Sequence, residues 1–138
     1  MRTAQRWAVA AVALTVTALP IAISAPAQAA ENITAFTVQA QINADTTLNL
    51  TETFAWDFDG NYKHGVFRAI PIYSELPDGY RQYYDINVLS VTQDGKPAKA
   101  SQSVEGAYLV VKIGNPNATI TGTHLYSIDY TVGGALTT

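Results

Sequence analysis

The sequence predicts an all-β fold: an antiparallel β-sandwich, immunoglobulin-like or similar, preceded by a helical signal peptide. Three observations predict it. Alternating apolar and polar residues recur in runs between Ile33 and Val132, the signature of half-buried strands. Turn signals such as Asp59-Gly60, Asp78-Gly79 and Asp94-Gly95 separate these runs at spacings of about 8–12 residues, as in sandwich domains. No stretch after the first thirty residues sustains a helical period. A closed barrel is the lesser alternative.

The chain begins with an address. Arg2 and Arg6 lie in a short charged start, Trp7 to Ile23 carries no charge, and Ala25-Pro26-Ala27-Gln28-Ala29-Ala30 follows. Positive start, apolar middle and small-residue end are the order of a secretory signal. The A-x-A match at Ala27-Gln28-Ala29 places cleavage between Ala29 and Ala30, dividing the chain into a leader, 1–29, and an extracytoplasmic domain, 30–138. An uncleaved anchor is the alternative, but its apolar run is at the lower limit for spanning hydrocarbon.

The strands follow in order. Ile33 to Asn43 puts Phe36, Val38, Ala40 and Ile42 on one face and Thr37, Gln39, Gln41 and Asn43 on the other. Ala44 to Thr47 turns the chain, and Leu48 to Phe58 alternates again, so the two runs form an antiparallel hairpin. Val66 to Tyr73 is a short apolar stretch ended by Pro71 and its neighbours. Tyr83 to Thr92 is rich in aromatic and β-branched residues. Asp94-Gly95 closes a hairpin whose weak return strand is Lys96 to Ser101. Ala107 to Ile113 and Thr123 to Val132 complete about seven strands.

Composition narrows the function. The 138 residues suit one domain, and 48% are hydrophobic, enough to build a core. Eight Lys and Arg against eleven Asp and Glu give a net charge of -3 with no basic cluster, so nucleic acid is not an expected partner. The absence of cysteine removes disulfides, thiol nucleophiles and cysteine-ligated metals.

Glu52 stands on the apolar face of its strand between Leu50 and Phe54. A carboxylate there costs several kcal/mol unless it is paired. Arg68 is the expected partner, in a structural ion pair that pins the loop carrying it to the sheet; a guanidinium fork grips a carboxylate at two points. A bulge or edge position leaving Glu52 in water is the alternative. No second placed acid or base accompanies it, so no catalytic residue is assigned and an enzyme is not expected. His64 and His124 are too few for a metal site, and His64 before Gly65 serves a turn. Asp57-Phe58-Asp59-Gly60-Asn61 has the wrong spacing for a calcium loop. No metal and no cofactor are therefore expected. Tyr80, Tyr83 and Tyr84 could form a sugar platform or simply pack in a sheet. Asn32, Asn49 and Asn117 each open an Asn-x-Ser/Thr triplet.

One block is more specific than the pattern around it. His64-Gly65-Val66-Phe67-Arg68-Ala69-Ile70-Pro71 follows the strand with Leu50-Thr51-Glu52, and precedes Val111-Lys112-Ile113-Gly114 and Gly122 to Tyr130. This order resembles the amino-terminal region of the predicted membrane proteins of domain-of-unknown-function family 2207 (DUF2207), with His64, Gly65, Arg68 and Pro71 as the family-like motif. The resemblance implies an exported β domain followed by membrane-spanning helices. It implies no reaction. The expected role is structural or interactive at the cell surface, with a glycan- or peptide-binding module as the alternative. The expected partners are the membrane, through segments missing from this chain, and a protein or glycan ligand. The chain is expected to be incomplete at its C-terminus, leaving its last strand without a neighbour.

Overall fold

The computed structural model describes residues 31–136. The leader 1–29 and its cleavage point between Ala29 and Ala30 lie outside the described residues. The described chain forms strands β1 (Asn32–Ile42), β2 (Leu48–Asp57), β3 (Gly65–Pro71), β4 (Tyr73–Glu75), β5 (Arg81–Tyr83), β6 (Asp85–Gln93), β7 (Lys96–Pro97), β8 (Ala100–Glu105), β9 (Tyr108–Gly114) and β10 (Thr123–Gly133). One turn of 3-10 helix, Pro77–Gly79, separates β4 from β5.

Two antiparallel sheets face each other. The larger runs in the order β1-β2-β10-β6-β7 and the smaller β3-β9-β8, while β4 and β5 form a separate pair. Alternation decides what lies between the sheets. On β10, Tyr126, Ile128, Tyr130 and Val132 are buried, whereas Ser127, Asp129 and Thr131 lie on the other face. Phe54 and Phe58 join them from the β2 segment, and Val66, Ile70, Val111 and Ile113 meet them from the smaller sheet. The core is thus a single layer of interdigitated side chains, as sheet-on-sheet packing requires.

The outer face of the larger sheet is polar. Asp129 accepts hydrogen bonds from Thr51 at 2.6 Å and Ser90 at 2.6 Å, tying three neighbouring strands together across that face.

Four features depart from the sequence reading. β1 keeps the expected face parity, with Phe36 opposite Phe54 and Ala40 opposite Leu50, yet it is exposed along its whole length. The smaller sheet has three strands against the five of the larger one, and over β1 it places the Arg68 guanidinium above Phe36. The return strand after Asp94-Gly95 is only the two residues of β7, and the chain then crosses to the smaller sheet as β8. The short apolar stretch Val66 to Tyr73 is strand β3 as far as Pro71, so Arg68 is carried by a strand and not by a loop. The last strand, β10, is the centre of its sheet, paired with β2 on one side and β6 on the other. The edges of that sheet are β1 on one side and, on the other, β7 with the stretch of β6 it leaves uncovered.

Candidate functional site: a buried carboxylate at the open side of the sandwich

The side of the sandwich where β3 faces β1 and β2 holds the one buried charged residue among those described. Glu52 of β2 is 3% exposed, flanked in the sheet by Val38 of β1 and Ile128 of β10. Arg68 reaches it from β3. Its Nε donates to Glu52 Oε2 at 2.6 Å and its Nη2 to Oε1 at 2.8 Å. The Tyr130 hydroxyl of β10 donates to the same Oε1 at 2.8 Å. The remaining guanidinium nitrogen, Nη1, donates to the Ala69 carbonyl. Two sheets are therefore joined through one carboxylate.

The electrostatics follow from this geometry. Burial pushes the Tyr130 phenol far above its ordinary range, and its hydrogen bond to Glu52 pushes the same way. The hydrogen bond to Glu52 raises the Arg68 guanidinium further still, against the effect of burial. Three donors, two on Oε1 and one on Oε2, take up most of the about four lone-pair positions of the carboxylate. The arrangement ties β2, β3 and β10 together.

The guanidinium is partly in water and lies 5.8 Å from the centre of the Phe36 ring, within the range of a cation–π contact. Ile33, Phe36, Phe54, Trp56, Phe67 and Arg68 line a shallow cleft of about 250 Å³ at this opening.

Gly65 is fixed by close approach. It pairs with Gly114 of β9, and a Cβ on either glycine would overlap the partner strand's backbone. His64 donates from Nδ1 to the Ala118 carbonyl at 2.9 Å, holding the entry to β3. Pro71 closes β3 opposite Tyr108. The motif residues His64, Gly65, Arg68 and Pro71 thus set the start, spacing, tie and end of one strand.

The other candidates sit elsewhere. His124 has Asp94 Oδ2 at 2.7 Å from Nδ1 and the Thr121 carbonyl at 3.1 Å from Nε2; the Leu125 amide donates to Asp94 Oδ1 at 2.9 Å. This cluster ties the β6–β7 turn to β10. Tyr73 and Tyr83 lie 5.4 Å apart, with Arg81 4.6 Å above Tyr73. Tyr80 and Tyr83 are exposed, whereas Tyr84 packs against the core and donates to Ser74 at 2.7 Å, so the three do not form one platform. Asp57 accepts from the Asp59 amide at 3.0 Å in a tight turn. Among the described residues no group of three or more His, Cys, Asp or Glu side chains could hold a metal ion.

Sequence reasoning did not find Tyr130 or Phe36 as members of the Glu52 cluster. Their alternation marks an inward face, but only the pairing of β1 and β10 on either side of β2 brings them to Glu52.

Fold and site together define an antiparallel β-sandwich closed by an internal polar tie. The family described as "Predicted membrane protein (DUF2207) N-terminal domain" matches residues 32–138, and the chain belongs to it. No curated protein and no solved structure matches. Among the described residues no helix is long and apolar enough to cross a membrane.

Proposed function

We propose that the domain is exported and non-catalytic, and that it serves a membrane-associated protein by structure and contact at the outer cell surface. The observation that carries this reading is the Glu52 cluster. The one buried charge among the described residues is consumed by Arg68 and Tyr130 in joining two sheets. The membership in a family of predicted membrane proteins supports the membrane association, and the signal-like order of residues 1–29 supports export.

The second reading is a binding module, and the open edge of β1 favours a peptide over a glycan. An extended peptide can add to an unpaired strand. A sugar platform would need several free aromatic faces side by side, whereas Tyr73 and Tyr83 lie tilted against each other, Arg81 sits over Tyr73 and Tyr84 packs against the core.

Because the chain has no cysteine, a single thiol tests orientation cleanly. Ser103→Cys on the exposed strand β8 should react with a membrane-impermeant maleimide on intact cells. Labelling only after lysis would overturn the exported reading.

A further inference from the structure

We infer that the β1 edge is a self-pairing surface, on which a second copy of this chain adds its own β1 antiparallel to form one continuous sheet. The inference rests on the contact reading above and gives it a site and an occupant.

The edges of the two sheets differ in a telling way. Natural sheets blunt their edges with short strands, charges and proline. β7 is two residues long, Lys96–Pro97, and pairs only with Thr92 and Gln93, so the rest of β6 is an edge as well. That edge opens on the charged Asp85 and is broken by a bulge at Leu89 in its pairing with β10. β3 carries Arg68 and ends on Pro71, and β8 is short and ends on Glu105. β1 is eleven residues long and contains neither a charge nor a proline. Its only irregularity lies between Ile33 and Ala35, and from Ala35 to Ile42 its pairing with β2 is regular. Among the described residues no strand pairs with its outer edge.

That edge specifies its occupant. A row of backbone N–H and C=O groups at strand spacing is satisfied by another extended strand. Phe36 and Val38, each 48% exposed, and Ile42, 68% exposed, ask for apolar residues at alternate positions of the newcomer. Thr37, Gln39 and Gln41 ask for uncharged polar residues between them. β1 itself meets every requirement.

A two-fold axis at Gln39, the centre of the regular stretch Phe36–Ile42, sets Phe36 against Ile42, Val38 against Ala40 and Thr37 against Gln41. Apolar meets apolar and amide meets hydroxyl, with no like charges opposed. Such an isologous pairing closes on itself as a dimer.

The test uses the self-opposed position. Gln39 is exposed and on the polar face, so replacing it leaves the core untouched. Sedimentation velocity is run on the purified chain, on Gln39→Lys, on Gln39→Glu, and on an equal mixture of the two variants. Expected are a dimer for the unsubstituted chain, association weakened roughly tenfold or more toward monomer for each variant alone, since like charges then lie directly opposite, and recovery of the dimer in the mixture. A chain monomeric at every concentration overturns the inference, as does a dimer that both variants leave unchanged, or a mixture that stays monomeric. These outcomes are independent of the maleimide experiment. A monomer whose Ser103→Cys variant is labelled on intact cells removes the self-pairing and keeps the exported reading.

Discussion

At Glu52, the arginine decides whether a carboxylate can stay in an apolar layer. Removing one partner of a buried pair strands the other. Arg68→Ala should therefore destabilise the fold by about 3 kcal/mol, the lower end of the usual range because the guanidinium is partly hydrated and Tyr130 still donates. The double replacement Glu52→Leu with Arg68→Met should recover most of that loss. Urea denaturation measures both, and a double variant no better than Arg68→Ala would contradict the account. Two tyrosines on the same strand face give a sharper contrast. Tyr130→Phe removes a hydrogen bond to a charged group and should cost about 1.5–3 kcal/mol. The Tyr126 hydroxyl is buried, meets no partner among the described residues, and is pushed up to about 12 by burial. Tyr126→Phe should be neutral or stabilising by up to about 1 kcal/mol; a loss as large as that of Tyr130→Phe would show that its hydroxyl is satisfied. Asp94 contributes to the acid limb. Partial burial works to raise its carboxyl, but the hydrogen bonds from His124 and the Leu125 amide outweigh it and hold the group below the usual carboxylate range. A group that ionises more readily when folded contributes stability above its unfolded pKa, about 3.9, and loses it as pH falls through the lower folded value. The fall in urea midpoint between about pH 5 and pH 2 should therefore be shallower in Asp94→Asn than in the unsubstituted chain. Glu52 and Arg68 can be found in the sequence because a charge inside an alternating apolar run demands a partner. Tyr130 cannot, because nothing local says that its strand will lie beside that of Glu52.

The strands show where local pattern stops being informative. Period two determines which residues share a face, and Phe36 and Val38 do share the core-side face of the larger sheet. It does not determine whether a second sheet covers that face, which depends on the width of β3-β9-β8. The position of β10 was equally hidden. Sequence order places it last, and only long-range pairing with β2 and β6 places it in the centre. Gly65 and Gly114 could be read locally as turn or strand-end glycines, while their mutual contact is a tertiary fact. That contact makes a direct prediction. Gly65→Ala or Gly114→Ala must push two backbones apart and should cost about 3 kcal/mol or more. Gly60→Ala meets open space and should cost only about 1–2 kcal/mol for its left-handed backbone. Thermal or urea denaturation of the three variants checks the order, and equal losses would remove the close-approach argument.

The whole molecule joins a firm centre to a loosely held edge. β10 is hydrogen-bonded on both sides, and four of its side chains lie in the core. β1 is bonded on one side only, through β2, and every one of its residues is exposed. Strands with few buried contacts open locally at a lower free energy than the fold as a whole. Native-state hydrogen exchange in dilute solution should therefore find the amides of Tyr126 to Val132 exchanging only through global unfolding, while the amides of Phe36 to Ile42 that bond to β2 exchange through a smaller opening and the outward-pointing ones need none. Pairing of β1 between two copies would add hydrogen bonds to its free edge and bury Phe36, Val38 and Ile42. Raising the protein concentration should then slow exchange along β1 and leave β10 unchanged, because β10 is already limited by the global step. Protection of β1 equal to that of β10 in dilute solution would mean that the cooperative core extends across the whole larger sheet, and that the edge is held by more than its ladder with β2.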